Sequence, residues 1–289
     1  MKKITMLAAA VCMSICAFAQ KPVVVVDYFT SPSCTEAGIS ALRGQVIAGL
    51  METGRVNLID VETETSLAVE ADRRASEMAM EDQTARLGAM KTLGANYIVT
   101  GVVSKLGADK RVSDDGSVYY NGNVVYSLKV VNAEDGTLVG AETYTYADLQ
   151  GSVGSTSEEA VVATISKARK AMKVFVSKYF KAKGVIVEMG EMKGGKAKNC
   201  YISLGSAAGV EKGQRCEVFE VKTIAGREAE TLVGVIAIEE VMAEDLSNCK
   251  FVSGAKEIVA AFQAGHELRL VTKEKVDVMG KVGGFLNAL

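Results

Sequence analysis

The sequence predicts an α/β (α+β) domain with a mixed sheet and flanking helices, followed by a small β-barrel. Three observations carry this. Between Val23 and Val103, apolar strand-like runs take turns with helical periodicity, which is βαβ order. From Val118 to Tyr146 the pattern becomes an alternation broken by an Asp-Gly step, the mark of a hairpin. After Gly184 the texture changes to short strands at close spacing with glycine-rich turns.

Val23 to Asp27 is a continuous β-branched run, as in a strand buried on both faces. Ser33 and Glu36 have capping-box spacing and should start a helix. Its inner face is Ile39, Leu42, Val46 and Leu50, and Gly54 stops it. Arg55 to Asp60 is a second strand. A long helix is expected from Glu64 to Leu93, with Met78, Leu87 and Met90 as core positions and Glu70, Asp72, Arg73, Arg74, Glu81 and Asp82 on its polar faces. Asn96 to Val103 is the third strand, and βαβ connectivity makes all three parallel. The hairpin Val118–Val131 and Leu138–Tyr146 follows. Gly107 to Gly116, crowded with Asp109, Lys110, Arg111, Asp114 and Asp115, reads as a solvated loop. Ser155 and Glu158 cap a last helix with Val161, Ile165, Ala168, Met172, Val176 and Tyr179 on one stripe. Barrel strands are expected near Val185–Met189, Cys200–Leu204, Arg215–Val221, Leu232–Val241, Cys249–Val252 and Glu267–Val271, with a brief helix over Ala255–Phe262.

The first nineteen residues have the layout of a secretory signal: Lys2 and Lys3, an uncharged apolar run from Ile4 to Phe18, and Ala17-Phe18-Ala19 for a signal peptidase. The mature chain then begins at Gln20; an uncleaved N-terminal anchor is the alternative reading. Val11 and Ile15 precede Cys12 and Cys16, where a lipidation signal needs a small residue, so no lipid anchor is expected. Without the two leading lysines the charge balance is 31 basic against 35 acidic residues, which argues against nucleic acid as a partner. No later apolar stretch is long enough for a transmembrane helix. The domains are set at 1–19 (signal peptide), 20–183 (α/β), 184–272 (barrel) and 273–289 (tail).

Leu93-Gly94-Ala95-Asn96-Tyr97-Ile98-Val99-Thr100-Gly101, then Leu128-Lys129-Val130-Val131-Asn132-Ala133 with Asp135-Gly136-Thr137, make residues 22–182 resemble the family of the curli secretion component CsgG and the penicillin-binding-protein activator LpoB. Asp60-Val61-Glu62 departs from that family's pattern. Ile202-Ser203-Leu204-Gly205-Ser206 with Gly209-Val210-Glu211-Lys212-Gly213, followed by Gly234–Ile238, Cys249–Val252 and Ala264–Glu267, make residues 184–272 resemble the C-terminal domain of the flagellar assembly protein FlgT. The resemblances imply an accessory role in envelope secretion or cell-wall synthesis, or in the alternative a CsgG-like outer-membrane pore subunit.

Four features of the sequence bear on chemistry. Val25 to Phe29 followed by Ser31-Pro32-Ser33-Cys34 looks like a thioredoxin strand and loop. However, Ala37 stands where a second cysteine belongs, and both prolines, Pro22 and Pro32, precede Cys34. Lys167, Arg169, Lys170, Lys173, Lys178, Lys181 and Lys183 form a basic run that reads either as an anion-binding face or as a solvated helix end favoured by the dipole. Cys200, Cys216 and Cys249 allow one disulfide in an exported chain, or serve as small buried hydrophobes; sequence does not choose among the three pairings. His266, the single histidine, has no zinc-ligand neighbours and no triad partners, and Lys281 has no phosphate loop around it. The expectation is therefore an exported, non-enzymatic protein with no catalytic residue, cofactor or metal. It would work in the periplasm, peripheral to the outer membrane, on an envelope protein or cell-wall polymer, with homo-oligomerisation left open.

Overall fold

The computed structural model describes residues 21–61, 91, 93–193 and 196–273. The secretory segment, the helix expected over Glu64–Leu93 apart from Lys91 and Leu93, and the tail beyond Lys273 lie outside the described residues. The chain divides into two compact units, one over Pro22–Lys173 and one from Val174 onward.

The first unit holds β1 (Val23–Thr30), α1 (Glu36–Glu52), β2 (Asn57–Asp60), β3 (Tyr97–Val112), β4 (Val118–Asn132), β5 (Leu138–Tyr146), β6 (Val153–Gly154) and α2 (Ser157–Ile165); α3 (Lys167–Tyr179) begins in it. The sheet order is β2-β1-β3-β4-β5, with β6 also beside β4. β1 is parallel to β2 and to β3, while β3, β4 and β5 are antiparallel, so the sheet is mixed. Val24, Val25 and Val26 are fully buried, as their unbroken apolar run requires of a central strand. Leu42, Val46 and Leu50 of α1, Val99 and Val103 of β3, and Val124, Tyr126, Leu128 and Val130 of β4 are all without solvent contact. A smaller cluster joins Val25, Val61, Ala95, Ile98 and Ala133.

Three local expectations change. α1 is capped by Thr35, whose hydroxyl accepts from the Gly38 amide at 3.4 Å, while Ser31 takes the amides of Ser33 and Cys34. The Ser31-Pro32 turn uses up the first hydroxyl, so the helix starts later than the Ser33–Glu36 spacing suggests. α2 is capped by Thr156, and Glu159 reaches back to Ser155, one residue displaced from the expected box. The last helix is also two helices: Thr164 and Ser166 turn their hydroxyls onto the carbonyls of Ala160 and Ala163, a substitution for ladder bonds that bends helices. The buried stripe survives the break through Ile165, Ala168, Met172 and Val176.

The largest correction is at Gly107–Gly116. β3 does not end in a solvated loop there. It runs to Val112 in continuous register with β4, from Lys105↔Val125 to Val112↔Val118. Charge density suggested a loop, but on an open ribbon alternate residues reach solvent on either face, so charges do not terminate it. Only Ser113–Ser117 turns, with Gly116 at φ 83° and the Asp115 carboxylate accepting from Ser113 Oγ at 2.7 Å and the Ser117 amide at 2.9 Å. Gly122 of β4 lies where a side chain would overlap Thr164 and the Ala160 carbonyl, so α2 can press directly onto this part of the hairpin.

The second unit is a closed antiparallel barrel of β10-β13-β12-β11-β14-β7, comprising β7 (Lys183–Met189), β10 (Asn199–Ile202), β11 (Arg215–Ile224), β12 (Arg227–Val241), β13 (Ser247–Ser253) and β14 (Glu267–Thr272). A two-stranded ribbon, β8 (Met192–Lys193) with β9 (Lys196–Ala197), precedes β10, and α4 (Ala255–Gln263) precedes β14. Alternate residues fill the interior: Ile186, Cys200, Ile202, Cys216, Val218, Ile236, Ile238, Cys249, Leu268 and Leu270, with Ile258 from α4. The turn into α4 needs Gly254, which has φ 70° and lies against the Val233 carbonyl with no room for a side chain.

Candidate functional site

In an open α/β sheet, ligand sites favour the carboxyl ends of parallel strands where the strand order reverses. Here that place is the end of β1, with β2 on one side and β3 on the other. The register skips between Val26↔Val99 and Phe29↔Gly101, so Asp27 and Tyr28 form a bulge. Arg43 of α1, only 3% exposed, fills the space behind it. Its Nε donates to the Asp27 carbonyl at 2.9 Å and its Nη2 to the Val26 carbonyl at 3.0 Å; it also pairs with Asp60 at the end of β2 and lies 5.6 Å from the Tyr28 ring centre. The cation ties α1 to both strand ends, which is a structural role. Cys34 stands two residues before α1, next to its capping Thr35, and exposed Ala37 takes the place of a second thiol. Sequence reading missed Arg43. The signal was an arginine inside the apolar stripe between Ile39 and Val46, in a chain whose first two apolar runs are each followed by an aspartate, Asp27 and Asp60.

The basic run is dispersed among internal partners. Lys167 Nζ donates to the carbonyls of Gln150 at 2.6 Å and Gly151 at 3.0 Å. Arg169 pairs with Glu52; their hydrogen bond holds the Glu52 carboxyl below its ordinary value and the guanidinium above its own. Lys178 lies 5.2 Å from the Tyr179 ring centre. Lys167 and Arg169 are therefore engaged within the fold.

In the barrel, His266 Nδ1 bonds the Glu220 carboxylate, which also takes Lys222 Nζ at 2.9 Å. The Lys222 bond first, then the His266 bond, holds the Glu220 carboxyl below its ordinary 4.5. A depressed carboxylate stabilises the fold fully above its unfolded value and loses that contribution as pH falls through the lower, folded value. Barrel stability should therefore decline below about pH 4.5, and Glu220→Gln should flatten that acid limb in thermal melts; an unchanged slope would contradict it. Cys200, Cys216 and Cys249 are all buried in the barrel interior. Among the described residues, no cluster of His, Cys, Asp and Glu can hold a metal ion, and no helix is long and apolar enough to cross a membrane.

The far end of the β3–β4 hairpin has the opposite character, with large apolar side chains outside. Val112 is 65% exposed and Val118, its cross-strand partner, 49%. A short 3-10 turn, Asp148–Gln150, folds against the same ribbon and presents Leu149 with no shielding at all, and Val153 of β6 follows at 64%. Three side chains bond this turn. Arg111 Nη2 pairs with the Asp148 carboxylate at 2.9 Å, Asn121 Nδ2 donates to the Asp148 carbonyl at 2.7 Å, and Lys167 Nζ donates to the carbonyls of Gln150 and Gly151. Asp148 itself has φ 47°, a left-handed backbone that aspartate adopts more readily than most residues. Lys110, Arg111 and Lys167 stand against Asp109, Asp114, Asp115 and Asp148 at this end, three cations to four carboxylates, so it is slightly acidic. Sequence reading passed over Val112, Val118, Leu149 and Val153 because single apolar residues beside turns carry no periodic signal.

No protein-family model matches the chain, and no curated protein is similar to it in sequence. Similar solved structures include the PelC dodecamer from Paraburkholderia phytofirmans, at 15% identity, covering 52% of this chain and 85% of that one, with a TM-score of 0.33. They also include lipoprotein GNA1162 from Neisseria meningitidis (11%, 52% and 96%, 0.37) and the LpoB C-terminal domain from Escherichia coli (10%, 48% and 94%, 0.30).

Proposed function

We propose that this chain is an exported, non-enzymatic protein of the bacterial envelope whose α/β unit docks another envelope protein through the far end of the β3–β4 hairpin. The observation that carries this is Leu149, fully exposed on a turn bonded by Arg111, Asn121 and Lys167, with Val153 exposed on the strand after it and Val112 and Val118 exposed at the tip of the same hairpin. Exposed aliphatic side chains gathered at one end of a hairpin are the apolar surface that the partner would cover. A slightly acidic surround disfavours lipid phosphate or an anionic wall polymer. The secretory layout of residues 1–19 and the sequence resemblances to the CsgG/LpoB family and the FlgT C-terminal domain support the envelope setting and an accessory role in secretion or wall synthesis, in the periplasm and peripheral to the outer membrane. Two domains meeting near Lys183 belong to the same reading.

The length of the hairpin favours one competing reading, a membrane pore, whose strands need roughly 9–11 alternating residues. The side chains oppose it. One face of the outer hairpin carries Lys105, Asp109, Arg111, Asn121 and Asn123, and the other is met by α2 at Gly122 and interrupted by Lys110, so neither is a continuous apolar strip for lipid.

Leu149→Asp combined with Val118→Asp should weaken co-purification of the partner from native envelopes by at least about tenfold, or 1.4 kcal/mol. Melting should stay within about 0.5 kcal/mol of the parent, since both sites are on the surface. Undiminished association of the folded variant would defeat the proposal.

A further inference from the structure

The barrel places its three cysteines unequally. Cys200 of β10 and Cys249 of β13 are direct cross-strand partners, both fully buried in the interior. Cys216 of β11 is opposite Ile236 and Thr272, and in the ring β12 lies between it and β13, the nearer of the other two strands. Directly opposed residues of an antiparallel pair keep their Cα atoms about 4.5–5.5 Å apart, inside the roughly 4.4–6.8 Å that a disulfide spans. Only one of the three pairings meets that condition through neighbouring strands.

We propose that Cys200 and Cys249 are joined by a disulfide formed while the barrel folds, and that Cys216 remains a thiol. The oxidant is an external disulfide. One cysteine thiolate attacks it, giving a mixed disulfide and releasing one thiol. The second thiolate then attacks the cysteine sulfur and releases the other. Two cysteine thiols lose two protons and two electrons, and the external disulfide becomes two thiols. Folding sets the timing. In the closed barrel both side chains are sealed from solvent, and burial pushes the Cys200 thiol up to about 12 and Cys249 further in the same direction. Neither then supplies a thiolate. A chain that folds reduced stays reduced, and one that folds in an oxidising compartment carries the bond.

The test refolds the reduced, denatured full chain with oxidised and reduced glutathione, alkylates it under denaturing conditions, and maps tryptic peptides. It does not depend on export, so its outcome is separate from that of the function proposed above. Cleavage at Lys198, Lys212, Arg215, Lys222, Arg227 and Lys250 places each cysteine in its own peptide, so the map reads the pairing directly. The expected result is peptide 199–212 linked to peptide 228–250, with Cys216 alkylated. The link should persist in Cys216→Ser and be absent when the same oxidant is added to protein already folded in the reduced state. Alkylation of all three cysteines after oxidative refolding, a link through Cys216, or loss of the link in Cys216→Ser would overturn the pairing. Rapid linking in the folded protein would overturn the timing.

Discussion

Tyr126→Ala should destabilise the α/β unit by about 4 kcal/mol, the largest effect expected from any single truncation here. Among the described residues Tyr126 is the bulkiest side chain with no solvent contact, and it sits in the middle of β4 between Val103 of β3 and Tyr144 of β5. Its ring stacks on Tyr144, with centroids 5.0 Å apart and planes 22° apart, and meets Tyr146 at 6.4 Å. Truncation removes the transfer free energy of a whole ring, leaves a cavity that paired strands cannot close, and discards two ring contacts of roughly 0.5–1.5 kcal/mol each. Tyr126→Phe keeps the volume and the stacking and should cost no more than about 1 kcal/mol. Urea unfolding with a signal from the α/β unit measures both. A Tyr126→Ala loss below about 1.5 kcal/mol would mean that these rings do not form the centre of the core.

Arg43→Ala should cost roughly 3 kcal/mol, because it leaves its partners behind. The guanidinium is 3% exposed and is shared among the carbonyls of Val26 and Asp27 and the carboxylate of Asp60, so its loss takes a charge-assisted donor from each of them. Arg43→Lys should recover only part of the loss, since one ammonium cannot reproduce the planar fork or lie flat over Tyr28. The difference should change little with added salt, unlike that of an exposed pair such as Arg111–Asp148. Urea titrations at low and high ionic strength distinguish the two, and a strongly salt-dependent Arg43 effect would place the residue on the surface.

The fold was legible where a pattern repeats over many residues. The unbroken valines of β1 announced a central strand, and the close spacing of short apolar runs after Gly184 announced a barrel whose strand positions hold to within a few residues. The errors arose where a few side chains decide locally. A hydroxyl at Ser31 competes with Ser33 for the helix start. Thr164 and Ser166 divide a continuous apolar stripe into two helices. The charges of Asp109, Lys110 and Arg111 hid the outer half of β3, because charge marks solvent and not loop. The docking surface was hidden for a related reason. Leu149 is one apolar residue in a turn, and its meaning comes from Arg111, Asn121 and Lys167, which are distant in sequence and hold that turn. Lys167 had been counted among the cations of a basic face, whereas its observed role is to fix two carbonyls.

Site-specific photocrosslinking in intact cells tests the central claim most directly. A photoreactive amino acid at position 149 or 118 should give one discrete adduct with another envelope protein, and the same probe at Lys250 of the barrel, also well exposed, should not give that adduct. If positions 149 and 118 give no adduct while the full-length protein is present in the envelope fraction, or if the same adduct forms from Lys250, the hairpin end is not the docking surface.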